Sequence, residues 1–183
     1  MKKLKQKNFD VICIGRAGVD LYGQQIGGRL EDMGSFAKYV GGSPTNTAIG
    51  TARLGLKPAM LTRVGDEHMG RFIRETMEAE GVDTRQVITD PHRLTAMVLL
   101  GIQDKEHFPL IFYRENCADM GLCEDDIDPD FISQAGAVLV SGTHLSTPSV
   151  AAASHKAMKL ARANGSKAVS YTHRPLPKKT IVQ

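Results

Sequence analysis

Residues 41–55, Gly41-Gly42-Ser43-Pro44-Thr45-Asn46-Thr47-Ala48-Ile49-Gly50-Thr51-Ala52-Arg53-Leu54-Gly55, decide how the rest of the chain is read. Two glycines precede a proline, and Ala48, Ile49, Ala52 and Leu54 approximate a helical stripe. Proline fits a first helical turn, Ser43 is placed to cap it, and Gly55 is a stop signal. The spacing predicts a helix over 44–54. Glycines in front of a helix let the backbone approach a ligand closely, and the helix start offers unpaired N–H groups. Asn46 falls in the first turn and can both donate and accept, which suits a polyhydroxylated ligand. A tight strand-to-helix turn with a capping asparagine accounts for the same residues.

Working outward, residues 9–15 (FDVICIG) form an apolar run ending in glycine, the pattern of a buried strand. Residues 57–64 read as a second strand. Residues 67–80 carry Met69, Phe72, Ile73 and Met77 opposite a charged face, an amphipathic helix stopped by Gly81. A strand at 137–141, a helix at 147–163 and a last strand near Lys167 continue the alternation. A short helix surrounds Pro129, and a short strand is expected at 86–88. This rhythm predicts an α/β fold, a doubly wound parallel sheet with helices on its faces. Two segments, 16–40 and 90–113, break the rhythm. Their strands at 34–40, 95–102 and 109–113 have one exposed face each and are expected to pair into a smaller second sheet.

Composition narrows the function classes. Of 183 residues, 42% are hydrophobic and 23% charged, a globular balance that excludes disorder. The net charge of +3 arises at the ends, from the four lysines of residues 1–7 and from Arg174, Lys178 and Lys179. The body between them has more acids than bases, so a broad nucleic-acid face is not expected. No apolar run approaches the ~20 residues of a membrane span, and the lysine-rich start lacks a signal peptide's apolar core. Cys13, Cys117 and Cys123 form no CxxC pair, which suits reduced thiols in the cytoplasm and no structural metal.

Asp20 follows the first strand within GRAGVDLY. In open parallel sheets ligands bind beyond the carboxyl ends of the strands, and a carboxylate there can accept two sugar hydroxyls or simply be solvated. Gly15-x-x-Gly18 is a poor match to a dinucleotide fingerprint, so a nicotinamide oxidoreductase is disfavoured. Tyr113-Arg114 closes a β-rich run. An arginine there can hold a carboxylate with two parallel hydrogen bonds, or blunt an exposed edge strand. His92, His107, His144 and His155 read as surface or loop histidines without metal spacing. Cys13 reads as an inert core thiol, and Asp125, Asp126 and Asp128 as a solvated helix start.

The run GGSPTNTAIGTARLGLKPAMLTRVGDEHMGRFI resembles the first signature of the ribokinase-like (PfkB) carbohydrate kinases. Its parts are Gly-Gly-x-x-x-Asn, Gly55 after the helix, Gly65-Asp66 after the next strand, and Gly70 in the next helix. FDVICIGRAGVDLY resembles the family's opening strand and substrate aspartate, and YRENCADM with AVLVSGTHLS its third main strand region. The resemblance covers residues 8–169, the N-terminal, substrate-binding part of such a kinase domain. It implies transfer of the ATP γ-phosphoryl, with Mg2+, to a hydroxyl of a sugar acid. It assigns Asp20 and Asn46 to substrate hydroxyls, Gly41 and Gly42 to close backbone approach, and Tyr113 and Arg114 to the acid end. Segments 16–40 and 90–113 become a β-sheet lid that can pair two subunits. Another sugar of the family (2-keto-3-deoxygluconate, ribose or fructose) and a non-catalytic sugar-binding fragment are the alternatives.

The same resemblance implies that the family's Gly-Ala-Gly-Asp anion hole and general-base aspartate lie beyond this chain, which also lacks GxxxxGK[ST]. A truncated sheet of this kind is expected to be inactive alone and poorly soluble. The ending, SYTHRPLPKKTIVQ, departs from the family pattern, and residues 170–183 are read as foreign to the natural protein.

Overall fold

The computed structural model describes residues 7–171. Five parallel strands form the main sheet: β1 (Phe9–Ile14), β4 (Pro58–Gly65), β5 (Asp83–Asp90), β8 (Ala135–Ser141) and β9 (Lys167–Tyr171), in the order β5-β4-β1-β8-β9. Helices α1 (Ser43–Arg53) and α2 (His68–Ala79) cover one face, and α3 (Pro129–Ser133) and α4 (Pro148–Ala163) the other. The sequence explains this double covering. In β1, Ile12 and Ile14 point into the core shared with Phe131, Ile132, Val150 and Ala153. Cys13, between them, points into the core shared with Ala48, Ile49, Ile73 and Met77. A strand buried on both faces must be apolar throughout, as FDVICI nearly is.

Four further strands build the second sheet: β2 (Gly18–Gly23), β3 (Phe36–Gly41), β6 (Ala96–Leu100) and β7 (Leu110–Tyr113), in the order β3-β2-β6-β7. The expected smaller sheet is therefore present, and segment 16–33, read as loop with room for a short exposed strand, supplies the strand at 18–23. Two helical expectations change. The N-cap of α1 is Gly42, not Ser43, which is already helical, and no side chain caps this end. Gly42 takes φ +104°, which a serine would adopt only under strain. Asp126 is not solvated. Its carboxylate receives two hydrogen bonds from Arg63 (2.9 and 2.7 Å) and one from the Cys123 N–H (2.8 Å).

One carboxylate helps to tie the small sheet to the body. Glu67 caps α2 by accepting from the Met69 and Gly70 N–H groups, and it also accepts from the hydroxyl and N–H of Thr95, just before β6. Burial alone would raise its pKa; these hydrogen bonds outweigh burial and hold it below the usual range. On the body-facing side of the small sheet, Val19 is buried in the α1–α2 core, with Leu21 and Val40 packed against it. Lys38 sits 3.8 Å above the Phe72 ring of α2. Of the stretch read as foreign, Ser170 and Tyr171 continue β9 and pair with Val140 and Ser141; the remainder lies outside the described residues.

Candidate functional site

From β1 the chain turns to β4 and β5 on one side, and β8 and β9 enter on the other. Such a reversal leaves a crevice at the carboxyl ends of the strands on either side of it, here β1 and β8. Gly15, immediately after β1, marks the spot. A Cβ there would meet Pro44 of α1 at 2.8 Å, Ser141 at 3.3 Å and His144 at 3.4 Å. Thr62 donates to the Gly15 carbonyl (2.7 Å) and Thr45 to the Arg16 carbonyl (3.0 Å), so the turn out of β1 is held from two elements.

Register decides which side chains of the small sheet face this crevice. Asp20 pairs with Tyr39 and Val98, and Val98 pairs with Phe112, so these four share one face. Gly41 lies on the same face, opposite Gly18, and the Asp20 carboxylate leans across it. A Cβ on Gly41 would fall inside contact with both carboxylate oxygens. A Cβ on Gly42 would fall on the Arg16 carbonyl. The two glycines therefore admit the Asp20 side chain and the backbone after β1 to the start of α1. A cavity of about 610 Å3 opens here, with Asp20, Tyr22, Tyr39, Asn46 and Ile102 among its walls. Tyr22 and Tyr39 meet edge to face at 5.5 Å. Burial raises the Asp20 pKa, an effect that the Arg16 charge partly offsets.

Asp20, Gly41, Gly42 and Asn46 are thus brought together. Tyr113 is not: it pairs with Met97, on the opposite face from Asp20, while its neighbour Phe112 shares the Asp20 face. Arg114 lies close to the crevice but is engaged. Its Nη2 donates to Asp119 Oδ2 at 2.7 Å, with the two side chains 19% and 0% exposed. His144 Nδ1 lies 3.7 Å from the same oxygen. His144 is therefore no surface or loop histidine. It is buried, and neither ring nitrogen has a hydrogen-bond partner. Arg16, Asp119 and Tyr39 were not singled out by sequence reasoning, and His144 was read only as a surface or loop histidine. Only Arg16 carried a local signal, four residues before Asp20 on the way from β1 into β2.

Burial pushes the His144 pKa down to about 4, against an opposing pull from Asp119. Between pH 6.5 and 4 the unfolded chain binds a proton here that the folded chain does not, so stability falls as pH falls through that window. The loss is up to about 3 kcal/mol by pH 4. Denaturant midpoints measured from pH 7 to 4 should decline for the parent and flatten in this window for His144→Leu; parallel profiles would refute the assignment.

Cys13 is buried in β1, and burial raises its thiol to about 12, consistent with an unreactive core residue. Among the described residues, no cluster of His, Cys, Asp or Glu could hold a metal ion, and no helix is long and apolar enough to cross a membrane.

The model of a family described as "pfkB family carbohydrate kinase" matches residues 8–182, a span that takes in most of the stretch read as foreign. The 5-dehydro-2-deoxygluconokinase of Shouchella clausii (strain KSM-K16) is 42% identical over 164 residues, 89% of this chain and 50% of that protein. The enzyme of the same name from Listeria monocytogenes serovar 1/2a is 38% identical over 165 residues, 90% of this chain and 51% of that protein. The chain spans about half the length of the curated relatives it matches. Among solved structures, a PfkB protein from Polaromonas sp. JS666 superposes with a TM-score of 0.84 and 31% identity, covering 91% of this chain and 56% of that one. An uncharacterized sugar kinase from Pyrococcus horikoshii in complex with ATP gives a TM-score of 0.77 and 26% identity, covering 87% and 52%.

Proposed function

The chain belongs to the pfkB family of carbohydrate kinases, and from that premise we propose that it forms the acceptor-binding half of a kinase for 5-dehydro-2-deoxygluconate. The observation that carries this is the joint placement of Asp20 and Asn46 on the wall of one cavity, with Gly41 and Gly42 clearing the approach. Two polar side chains and two glycines suit a flexible polyol chain, and the Tyr22–Tyr39 pair suits its C–H faces. Arg114 supplies positive charge toward the acid end. Tyr113, on the other face, bears on the site only through its backbone and through the position of Phe112.

The reading takes ATP as the phosphoryl donor, as the ATP complex of the Pyrococcus relative supports, with Mg2+ implied by the family resemblance. The residues described here do not fit that donor. The sequence has neither Gly-Ala-Gly-Asp nor GxxxxGK[ST], and the carboxylates present do not cluster for a metal ion. What these residues do is hold the acceptor and exclude water around it when the small sheet closes over the crevice. A cytoplasmic location and pairing of two copies through the small sheet belong to the same reading. The side chains of β7, Leu110–Tyr113, are exposed on both faces, which supports that pairing.

Gly41→Ala tests the proposal with little damage to the fold, because the added Cβ displaces only the end of a flexible side chain. Affinity for 5-dehydro-2-deoxygluconate, measured by titration calorimetry, should fall about 10- to 100-fold as the Asp20 carboxylate loses its position, with a stability change under about 1 kcal/mol. Unaltered affinity would remove Asp20 from the site.

A further inference from the structure

One cation near the crevice has no partner. Arg16 follows Gly15 at the carboxyl end of β1, and its guanidinium makes no hydrogen bond or ion pair among the described residues. It lies over the Phe112 ring, 5.7 Å from the centroid, on the face of the small sheet that carries Asp20. The group is half-buried, and three charges act on it: Arg114 repels it, and Asp20 and Asp119 attract it from beyond bonding distance. Burial, then Arg114, lower its pKa. A guanidinium stripped of much of its water, stacked on an aromatic ring and set beside a second guanidinium is costly to keep without a counter-ion. The second guanidinium cannot share its own: Arg114 Nη2 is spent on Asp119, and its Nε is buried without a partner.

We infer that Arg16 makes the direct contact with the carboxylate of the substrate, and so sets the preference for a sugar acid over a neutral sugar, while Arg114 is held by Asp119 and acts on that carboxylate only through its field. The inference rests on the acceptor-binding reading above and names the residue that distinguishes acceptors within it. The five N–H donors of arginine can meet both carboxylate oxygens at once, and the Phe112 ring limits the planes the fork can take. Bound substrate would also place a negative charge between two like charges and relieve their repulsion.

The test uses the 183-residue chain and two probes: 5-dehydro-2-deoxygluconate, and its C1 amide, which keeps the carbon chain and removes the charge. Titration calorimetry on the parent should show tighter binding of the acid. Arg16→Gln should weaken the acid about 10- to 100-fold, the range of a lost charge-assisted contact, and change the amide less than about 3-fold. Arg16→Lys should fall between, since an ammonium keeps the charge and loses the fork. The inference is overturned if Arg16→Gln weakens acid and amide alike, or weakens neither, or if Arg114→Gln alone shows the acid-selective loss. A parent that binds the amide as tightly as the acid overturns it while leaving the acceptor site standing. A parent that binds neither probe brings down the acceptor-site reading itself. Melting temperatures of all variants, taken alongside, separate a lost contact from a lost fold.

Discussion

Replacing Asp119 by alanine is expected to destabilise the protein by about 3–5 kcal/mol, a large part of the stability of an ordinary domain. The side chain is fully buried, and its Oδ2 is the acceptor for Arg114 Nη2. Removing one partner of a buried pair leaves the other charge without compensation, and here the orphan would face a second guanidinium, Arg16. The cost is larger than the worth of the pair itself, because the desolvation of Arg114 remains after its counter-charge has gone. Urea denaturation of the parent, Asp119→Ala and Asp119→Asn reads the effect. The asparagine variant keeps shape and one acceptor oxygen, so it should lose less. A loss under about 1 kcal/mol in the alanine variant would mean that Arg114 reaches solvent or another acceptor.

Gly42→Ala is expected to cost about 2–4 kcal/mol, through two effects at one atom. The residue sits at φ +104°, where an L side chain is strained, and its Cβ would strike the Arg16 carbonyl. That carbonyl is backbone and is fixed by Thr45, so it cannot rotate away as a side chain would. The contrast with Gly41→Ala, where the obstacle is a flexible carboxylate, is the informative part. Adjacent glycines should divide cleanly, one variant losing mainly ligand and the other mainly fold. Denaturation midpoints for the pair would settle this. A Gly42→Ala loss below about 0.5 kcal/mol would show that the turn has another conformation open to it.

Most of the main sheet was legible because its strands are buried on both faces and read as unbroken apolar runs, FDVICI and AVLVS among them. β5 was legible only in its middle. It spans Asp83–Asp90, but DTRQVITD is an edge strand with polar residues on its open side, so periodicity marks little beyond Val87 and Ile88. β2 was half hidden by its flanking glycines, which read as loop with room for only a short exposed strand. Within the site, Asp20, Gly41, Gly42 and Asn46 carry their signal locally, in a post-strand turn and a helix start. Asp119 and His144 carry none. Asp119 looks like any loop acid and His144 like any loop histidine until the fold buries both. Asp126 is the same case, since its partner Arg63 lies on another strand. Burial of a charge is a property of packing and leaves no mark on its sequence neighbours.

The joint at Glu67 has a mechanical meaning. It fastens the small sheet at Thr95, just before β6, and a tilt of the sheet against its packing on α1 and α2 would turn about that margin as a lever does. Gly18 and Gly41 are beside the axle, Asp20 is partway out, and Tyr22 is level with Leu100 at the far end of β6. At ~3.3 Å per residue the arm from Thr95 to Leu100 is about 17 Å, so a tilt of about 5° carries Tyr22 roughly 1.5 Å and Asp20 little more than half as far. The Asp20 carboxylate rides at mid-arm, and Tyr22, which gives the cavity part of its outline, rides at the rim. Breathing of the sheet would slacken the fit around a ligand most at the tyrosine rim and little more than half as much at the carboxylate.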